Sequence, residues 1–222
     1  MKSEPNTGTP FEVFPELEAF GWLKHVFTLR QPEIEIGEDR ARTLQLLRQN
    51  HDRILTERGI PLREMASAQQ VHGNRVAWLD RKPQLPIADI DALATNIPGL
   101  PIGVYVADCC AVFIIDERKK AIALLHSGFR GTEQNIAREG VRTLMRENGS
   151  EPASLTALLG PCIRGCCYRA EFADQIAGQL AAEGVNNIVR RDRCTACNNK
   201  LYYSYNKEKG HTGRMLAALM IT

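Results

Sequence analysis

VADCCAVFIIDERKKAIALLHSGFRGT, residues 106–132, carries two short apolar runs, Ala111 to Ile115 and Ala121 to Leu125, on either side of the charged cluster Asp116 to Lys120. Short runs rich in Val, Ile and Leu around a polar turn predict the two buried strands of a β-hairpin. Facing positions in a hairpin share a constant sum of residue numbers. The pair Cys109 and His126 is centred on Glu117 and Arg118, inside the polar cluster. The hairpin therefore places Cys109 and His126 side by side at one end. A thiol and an imidazole so placed make either a metal site or a nucleophile–base pair.

Outward from the hairpin, 222 residues with 44% hydrophobic content suffice for a core, and a single domain over 1–222 is expected. The formal charge of +2 is near balance and no long basic run occurs, which argues against a nucleic-acid partner. Residues 1–10, MKSEPNTGTP, read as a loose polar arm without the apolar centre of a signal peptide. The apolar stretch from Met215 to Ile221 is too short to cross a bilayer. A cytoplasmic monomer without a membrane partner is the expectation. The seven cysteines, an odd number, point to thiols or metal ligands rather than a disulfide framework.

Along the chain, Trp22 to Leu29 has strand composition, and its His25 reads as a strand histidine with a satisfied hydrogen bond rather than a ligand. Gly37 to Gly59 predicts a helix with Leu44, Leu47, Ile54 and Leu55 on one face and Gly59 past its end. Met65 to Asp80 reads as strand, tight turn, strand, with His72-Gly73-Asn74 at the turn. Pro83 to Gly99 reads as an irregular surface crossing that includes Asp91.

After His126, the turn Ser127 to Thr132 leads into a helix ending near Asn148, with Thr132 as N-cap and Ile136, Gly140, Val141, Leu144 and Met145 buried. Arg130, Gly131 and Thr132 in that turn offer a guanidinium and backbone N–H groups to an anion. Leu155 to Gly160 predicts a buried strand and Phe172, Ile176 and Leu180 a helix face; strands are expected near Leu201 to Tyr205 and at the C-terminal apolar run. Cys162, Cys166, Cys167, Cys194 and Cys197 are expected to be buried free thiols, with a separate structural zinc as the alternative. Helices among strands and hairpins give an α+β class with mixed sheets.

The blocks QQVHGNRV, DIDALATNIPGL, VADCCAVFIID, HSGFRGT, LGPCIRGCCY and YYSYNKEKGHTGR, in this order, resemble the laccase-domain family of multicopper polyphenol oxidases and purine nucleoside phosphorylase/adenosine deaminase enzymes. The resemblance spans roughly residues 60–222. It implies mixed sheets layered between helices, a fold grouped with cysteine hydrolases, and one zinc held by His72, Cys109 and His126. HSGFRG stands where the family has HAGWRG, ADCC adds a second thiol, and the C-terminal arginine-rich block is softened to Ser204-Tyr205-Asn206-Lys207.

Two histidines and one cysteine leave zinc an open position, as in catalytic sites. The resemblance implies phosphorolysis of purine nucleosides and deamination of adenosine; the Arg130 turn is the natural place for the phosphate, and Asp91, close in sequence to the Cys109 strand, is the expected orienter or proton-transfer group. A metal-free hydrolase or amidase, with Cys109 as nucleophile and His126 as base, remains the alternative. A multicopper centre needs more histidines than the five present, although copper on the same three ligands could give weak phenol oxidation. A non-catalytic role in quality control of peptidoglycan precursors is a further possibility that the resemblance carries.

Overall fold

Strands that read as unbroken apolar runs need cover on both faces, and helices outside two stacked sheets supply it. The structure, a computed structural model, describes residues 9–37, 39–85 and 87–222. Residues 1–8 of the expected arm lie outside these. Pro10 is already docked, its carbonyl accepting the Leu29 N–H at 2.8 Å.

The strands are β1 (Phe11–Glu12), β2 (Leu23–Thr28), β3 (Ala66–Ser67), β4 (Val76–Leu79), β5 (Ala92–Thr95), β6 (Ile102–Val106), β7 (Cys110–Asp116), β8 (Ala121–Ser127), β9 (Leu155–Leu159), β10 (Asn187–Arg190) and β11 (Met215–Ile221). The α-helices are α1 (Pro15–Glu18), α2 (Arg40–Glu57), α3 (Phe129–Glu133), α4 (Ile136–Asn148) and α5 (Phe172–Ala182). One mixed sheet has the order β1-β2-β11-β6-β3 and the other β10-β9-β7-β8-β5-β4.

Alternation along the strands sorts side chains into three apolar layers. Phe27, Val104, Ala217 and Leu219 of the first sheet meet Phe113, Ile115, Ile122 and Leu124 of the second. The other face of the second sheet, with Val112, Ile114, Ala123 and Leu125, packs against Ile136, Val141 and Leu144 of α4 and Ile176 and Leu180 of α5. The outer face of the first sheet, with Val26, Leu216 and Ala218, is covered by Ile54 and Leu55 of α2. The result is helix, sheet, sheet, helix: the α+β class expected.

The β7–β8 hairpin forms, with a register two residues from the expected one. Ala111 faces His126 and Cys110 faces Ser127. Asp116 belongs to the strand rather than the turn: it pairs with Ala121, and its carboxylate accepts the Lys119 N–H at 3.0 Å. An even shift preserves the face of every side chain, so Cys109 and His126 still converge.

Other expectations are corrected. Residues 65–80 do not form a hairpin, because β3 joins the first sheet and β4 the second. Pro83 to Gly99 contains β5, an interior strand between β4 and β8. Its four residues are all buried and show no polar alternation. The helix after His126 is broken at Asn135, which adopts a left-handed φ of 62°. Thr132 lies inside α3 rather than at a cap, and Met145 is exposed. Residues 201–205 form turns whose Tyr202 and Tyr203 are buried, not a strand. Among the described residues no helix is long and apolar enough to cross a membrane.

Candidate functional site

Two crossings between the sheets meet at one end of the molecule. Residues 68–75 run from β3 to β4 and carry His72; residues 107–109 run from β6 to β7 and carry Cys109. The end of β8 adds His126. The ligand atoms of His72, Cys109 and His126 lie within 4.8 Å of one another, and the two imidazole rings meet edge-on at 4.8 Å. These are the three residues that the family resemblance implies as ligands, the pair Cys109 and His126 being expected from the hairpin as well.

Asp91, just before β5, organises the group from behind. Its Oδ1 lies 2.8 Å from His126 Nδ1 and accepts the His72 N–H at 2.9 Å. Its Oδ2 accepts the N–H groups of Val71 at 3.1 Å and Gly73 at 2.8 Å. These bonds hold His72 at its left-handed φ of 62°. The carboxyl is fully buried. Burial pushes its pKa up, but the His126 imidazole and the N–H groups of Gly73 and His72 outweigh it and hold it below the ordinary value. An ionised Asp91 only accepts, so the proton sits on His126 Nδ1, leaving Nε2 for Cys109 or a metal.

Burial would raise the Cys109 thiol, yet the His126 and His72 imidazoles bring it down to about 6. Burial would lower His126, and Cys109 together with Asp91 carries it up to about 9. Gly128 leaves the space this requires: a β-carbon there would lie 2.8 Å from Cys109 Sγ and 3.2 Å from His72 Cδ2. The neighbouring thiol, Cys110, takes no part. It packs with Cys162 in the core beneath α4 and α5, where contact with Cys162 and burial push it well above the ordinary thiol range.

The group opens into a cavity of about 510 Å³, within the roughly 300–1,000 Å³ usual for small-molecule sites. Phe129, Tyr168 and Phe172 line one part of it and form an aromatic cluster, with centroids 5.3–6.3 Å apart. Gln70, Asp108, Asn206 and Arg214 add polar groups to its walls. Asp108, at φ 79°, accepts the Thr195 hydroxyl and the Asn206 N–H, both at 2.7 Å, and so ties two loops to the cavity. These wall residues escaped the sequence reading as site residues. The signal for most of them was membership in the six blocks, Gln70 in QQVHGNRV, Asp108 in VADCCAVFIID, Phe129 in HSGFRGT, Tyr168 in LGPCIRGCCY, and Asn206 and Arg214 in YYSYNKEKGHTGR, whereas Phe172 lies in none.

The turn expected to bind an anion meets the site at Gly128 and Phe129 rather than at the three residues named for that role. Arg130 is exposed and, like the buried Gly131 and Thr132, does not line the cavity. Gly131 allows close packing, since a β-carbon would lie 2.7 Å from the Gly73 carbonyl. The Thr132 hydroxyl bonds Ser127 and donates to the Gly128 carbonyl at 2.7 Å. The guanidinium in the cavity wall is that of Arg214. His25 fulfils its structural reading: it is buried in β2, with Nε2 accepting the Phe14 N–H at 2.7 Å.

Residues 33–177 and 169–222 match the family described as multi-copper polyphenol oxidoreductase laccase. The chain belongs to this laccase family. Among curated relatives it is similar to "Purine nucleoside phosphorylase YlmD" of Bacillus subtilis, 26% identical over 195 residues and covering 70% of each chain. It is also similar to "Adenosine deaminase RL5" of an unknown prokaryotic organism, 30% identical over 173 residues, 72% of this chain and 62% of that one. Its fold matches the crystal structure of YlmD from Geobacillus stearothermophilus with a TM-score of 0.83 at 21% identity, covering 96% and 98% of the two chains. Bacillus licheniformis hypothetical protein YfiH matches with a TM-score of 0.86 at 22% identity, covering 96% and 100%. The family description speaks of several coppers. Among the described residues of this laccase-family chain, a single metal-capable group contains histidine, and it holds two.

Proposed function

We propose that the cavity is the active site of a zinc-dependent purine nucleoside enzyme, with phosphorolysis of adenosine- and inosine-type nucleosides and deamination of adenosine as its reactions. One observation carries the metal part: His72, Cys109 and His126 converge at the wall of an aromatic-lined cavity. The names of the relatives supply the substrate class.

The residues fit a zinc ion. Two imidazoles and a thiol of lowered pKa are suitable donors, Asp91 fixes the His126 tautomer, and Gly128 leaves the space clear. Bound there, zinc would supply Lewis-acid activation of water at neutral pH. The chain's own residues do the rest. Phe129, Tyr168 and Phe172 offer ring faces and edges to the purine and exclude water around it. Asp91 holds the proton at His126 Nδ1 and keeps both histidines in place. Arg214 offers the positive charge that phosphate needs, in preference to Arg130. In the same reading the chain is a single catalytic domain, one apolar cluster joining Phe14 to Ile221, and acts as a cytoplasmic monomer.

The test is incubation of the zinc-loaded protein with adenosine, with and without phosphate, followed by chromatography of the purines. Phosphate-dependent adenine and phosphate-independent inosine are expected. Adenosine recovered intact under both conditions would remove the nucleoside reading.

A second reading is favoured by the opposite shifts of Cys109, down to about 6, and His126, up to about 9. A metal-free hydrolase would use these as thiolate and imidazolium, with Asp91 as the third member. His72 separates the two. His72→Ala abolishes activity together with bound zinc in the first reading and leaves a cysteine hydrolase active in the second.

A further inference from the structure

The core accounts for Cys110 and Cys162, both fully buried, and takes in Cys194, but it does not account for the exposed thiols. Cys166 and Cys197 are exposed and Cys167 is half-buried. The packing role expected for these thiols therefore fails for Cys166 and Cys197, since an exposed thiol contributes nothing to an apolar layer, while Cys194 keeps it and Cys167 packs at the edge of the core. Yet the sulfurs of Cys166, Cys167, Cys194 and Cys197 all lie within 4.8 Å of one another. The sequence offers these as two fragments, a vicinal pair and a C-x-x-C, almost thirty residues apart.

The backbone brings the fragments together. β9 and β10 run parallel, and the chain leaving each continues alongside the other. The backbones of Cys162 and Cys194 pair in an isolated parallel β-bridge, with the Thr195 N–H donating to the Cys162 carbonyl at 3.1 Å. Arg164 in the first loop reaches Asp192 in the second at 2.6 Å. Both loops then turn. The Cys167 N–H donates to the Arg164 carbonyl at 2.9 Å, and the Asn198 N–H to the Cys194 carbonyl at 3.1 Å. Each turn presents its thiols to the other.

The spacing suits a shared centre better than one bond. Cys197 Sγ lies 3.5 Å from Cys166 Sγ and 3.4 Å from Cys167 Sγ, favouring neither as a disulfide partner. Four sulfurs at about 2.3 Å from a tetrahedral zinc stand roughly 3.8 Å apart, a value between these distances and the 4.8 Å limit of the cluster. Sulfur alone in a tetrahedral set selects zinc or iron among the available metals.

We propose that Cys166, Cys167, Cys194 and Cys197 form a second, structural metal site that binds zinc as a tetrathiolate. It shares no ligand with the His72, Cys109 and His126 group. All four positions are filled by protein, so the metal has no place for substrate and acts as a clamp. What it clamps is the cavity wall. The first loop carries Ile163 and Tyr168 into the cavity, and the second carries Thr195, whose hydroxyl holds Asp108.

The experiment is a metal-to-protein ratio on the full chain, produced with zinc under reducing conditions and measured by plasma mass spectrometry. Wild type should bind two zinc ions, C166S/C197S one, and H72A/H126A one. Cobalt replacement in the H72A/H126A variant should give the intense sulfur-to-cobalt absorption of a tetrathiolate. A wild-type ratio that C166S/C197S does not lower would overturn the proposal. If C166S/C197S fails to fold, the cobalt spectrum decides: a tetrathiolate spectrum upholds the site, and its absence from folded H72A/H126A rejects it. If the histidine variant loses its own zinc but keeps the sulfur-bound one, the two sites are separate, whatever the first proves to catalyse.

Discussion

Asp91 Oδ1 stands 2.8 Å from His126 Nδ1 and, with its second oxygen, gathers the backbone N–H groups of residues 71–73. One buried carboxylate thus fixes the ring of one histidine and the backbone of the other. The two reach the site from different elements, β8 and the β3–β4 crossing. Asp91 does not itself line the cavity, and its accepting positions are engaged by these donors. This geometry fits the positioning role considered for Asp91 better than the proton-transfer one.

Asp91→Asn should lower zinc affinity at the histidine-containing site by roughly 10–100-fold, the usual effect of removing a carboxylate that orients a ligating histidine. The amide cannot accept at both ends, so it opposes either His126 Nδ1–H or the N–H groups of the turn. Competition with a chelator measures the change. An affinity equal to wild type would show that the carboxylate does not organise the site.

Gly128→Ala isolates the effect of space. The backbone there, φ −93° and ψ −176°, suits any residue, so the substitution introduces no backbone strain. Its methyl would enter between Cys109 Sγ and His72 Cδ2. Overpacking of this kind costs about 1–3 kcal/mol. The variant should fold, with a somewhat lower Tm, and lose zinc from this site alone. Full zinc occupancy and full activity would refute the close approach.

Arg214→Ala should raise KM for phosphate by roughly 10–100-fold, equivalent to the about 1.5–3 kcal/mol of a hydrogen bond to a charged group. Arg130→Ala should change it little. Arg214 Nη1 also donates to the Thr212 and Gly213 carbonyls, so a structural loss must be distinguished from loss of the anion partner. Phosphate-independent deamination serves for that: it should persist in Arg214→Ala. The reverse pattern, with Arg130 dominant, would restore the turn after β8 as the anion site.

Two members of the metal-capable group, Cys109 and His126, were legible because they flank one hairpin, whereas the third, His72, entered only through the resemblance carried by the QQVHGNRV block. The register error did no harm, since a two-residue shift leaves parity intact. β5 was hidden because Ala92–Thr95 is buried throughout and follows a proline-rich segment, so it shows neither alternation nor strand flanks. The cavity walls were hidden for another reason. Phe129, Tyr168, Phe172 and Arg214 come from widely separated segments, and no local pattern announces that they meet. The cysteine cluster lay between these cases: both fragments were visible, but their meeting depends on the parallel pairing of β9 with β10.

His51 gives a pH dependence separate from the site. It is 1% exposed on the inner face of α2, and both ring nitrogens lack a well-formed hydrogen bond. Burial lowers its pKa to about 4, against which the Arg214 backbone raises it only in part. The folded state therefore leaves the ring neutral, while the unfolded chain protonates it near the ordinary 6.5. Between these values the unfolded state binds more protons, so stability rises with pH and is lost as pH falls from about 6.5 towards 4. At pH 5 the loss from this residue is about 2 kcal/mol by linkage. His25, lowered to about 3 by burial and by Arg58 and Arg191, adds to the same trend and extends it further into acid. His51→Leu keeps an apolar, helix-compatible side chain and removes the titrating group. Urea unfolding at pH 7.5 and pH 5 should show a smaller loss of stability in His51→Leu than in wild type. Equal losses in the two proteins would mean that His51 is not held neutral in the fold.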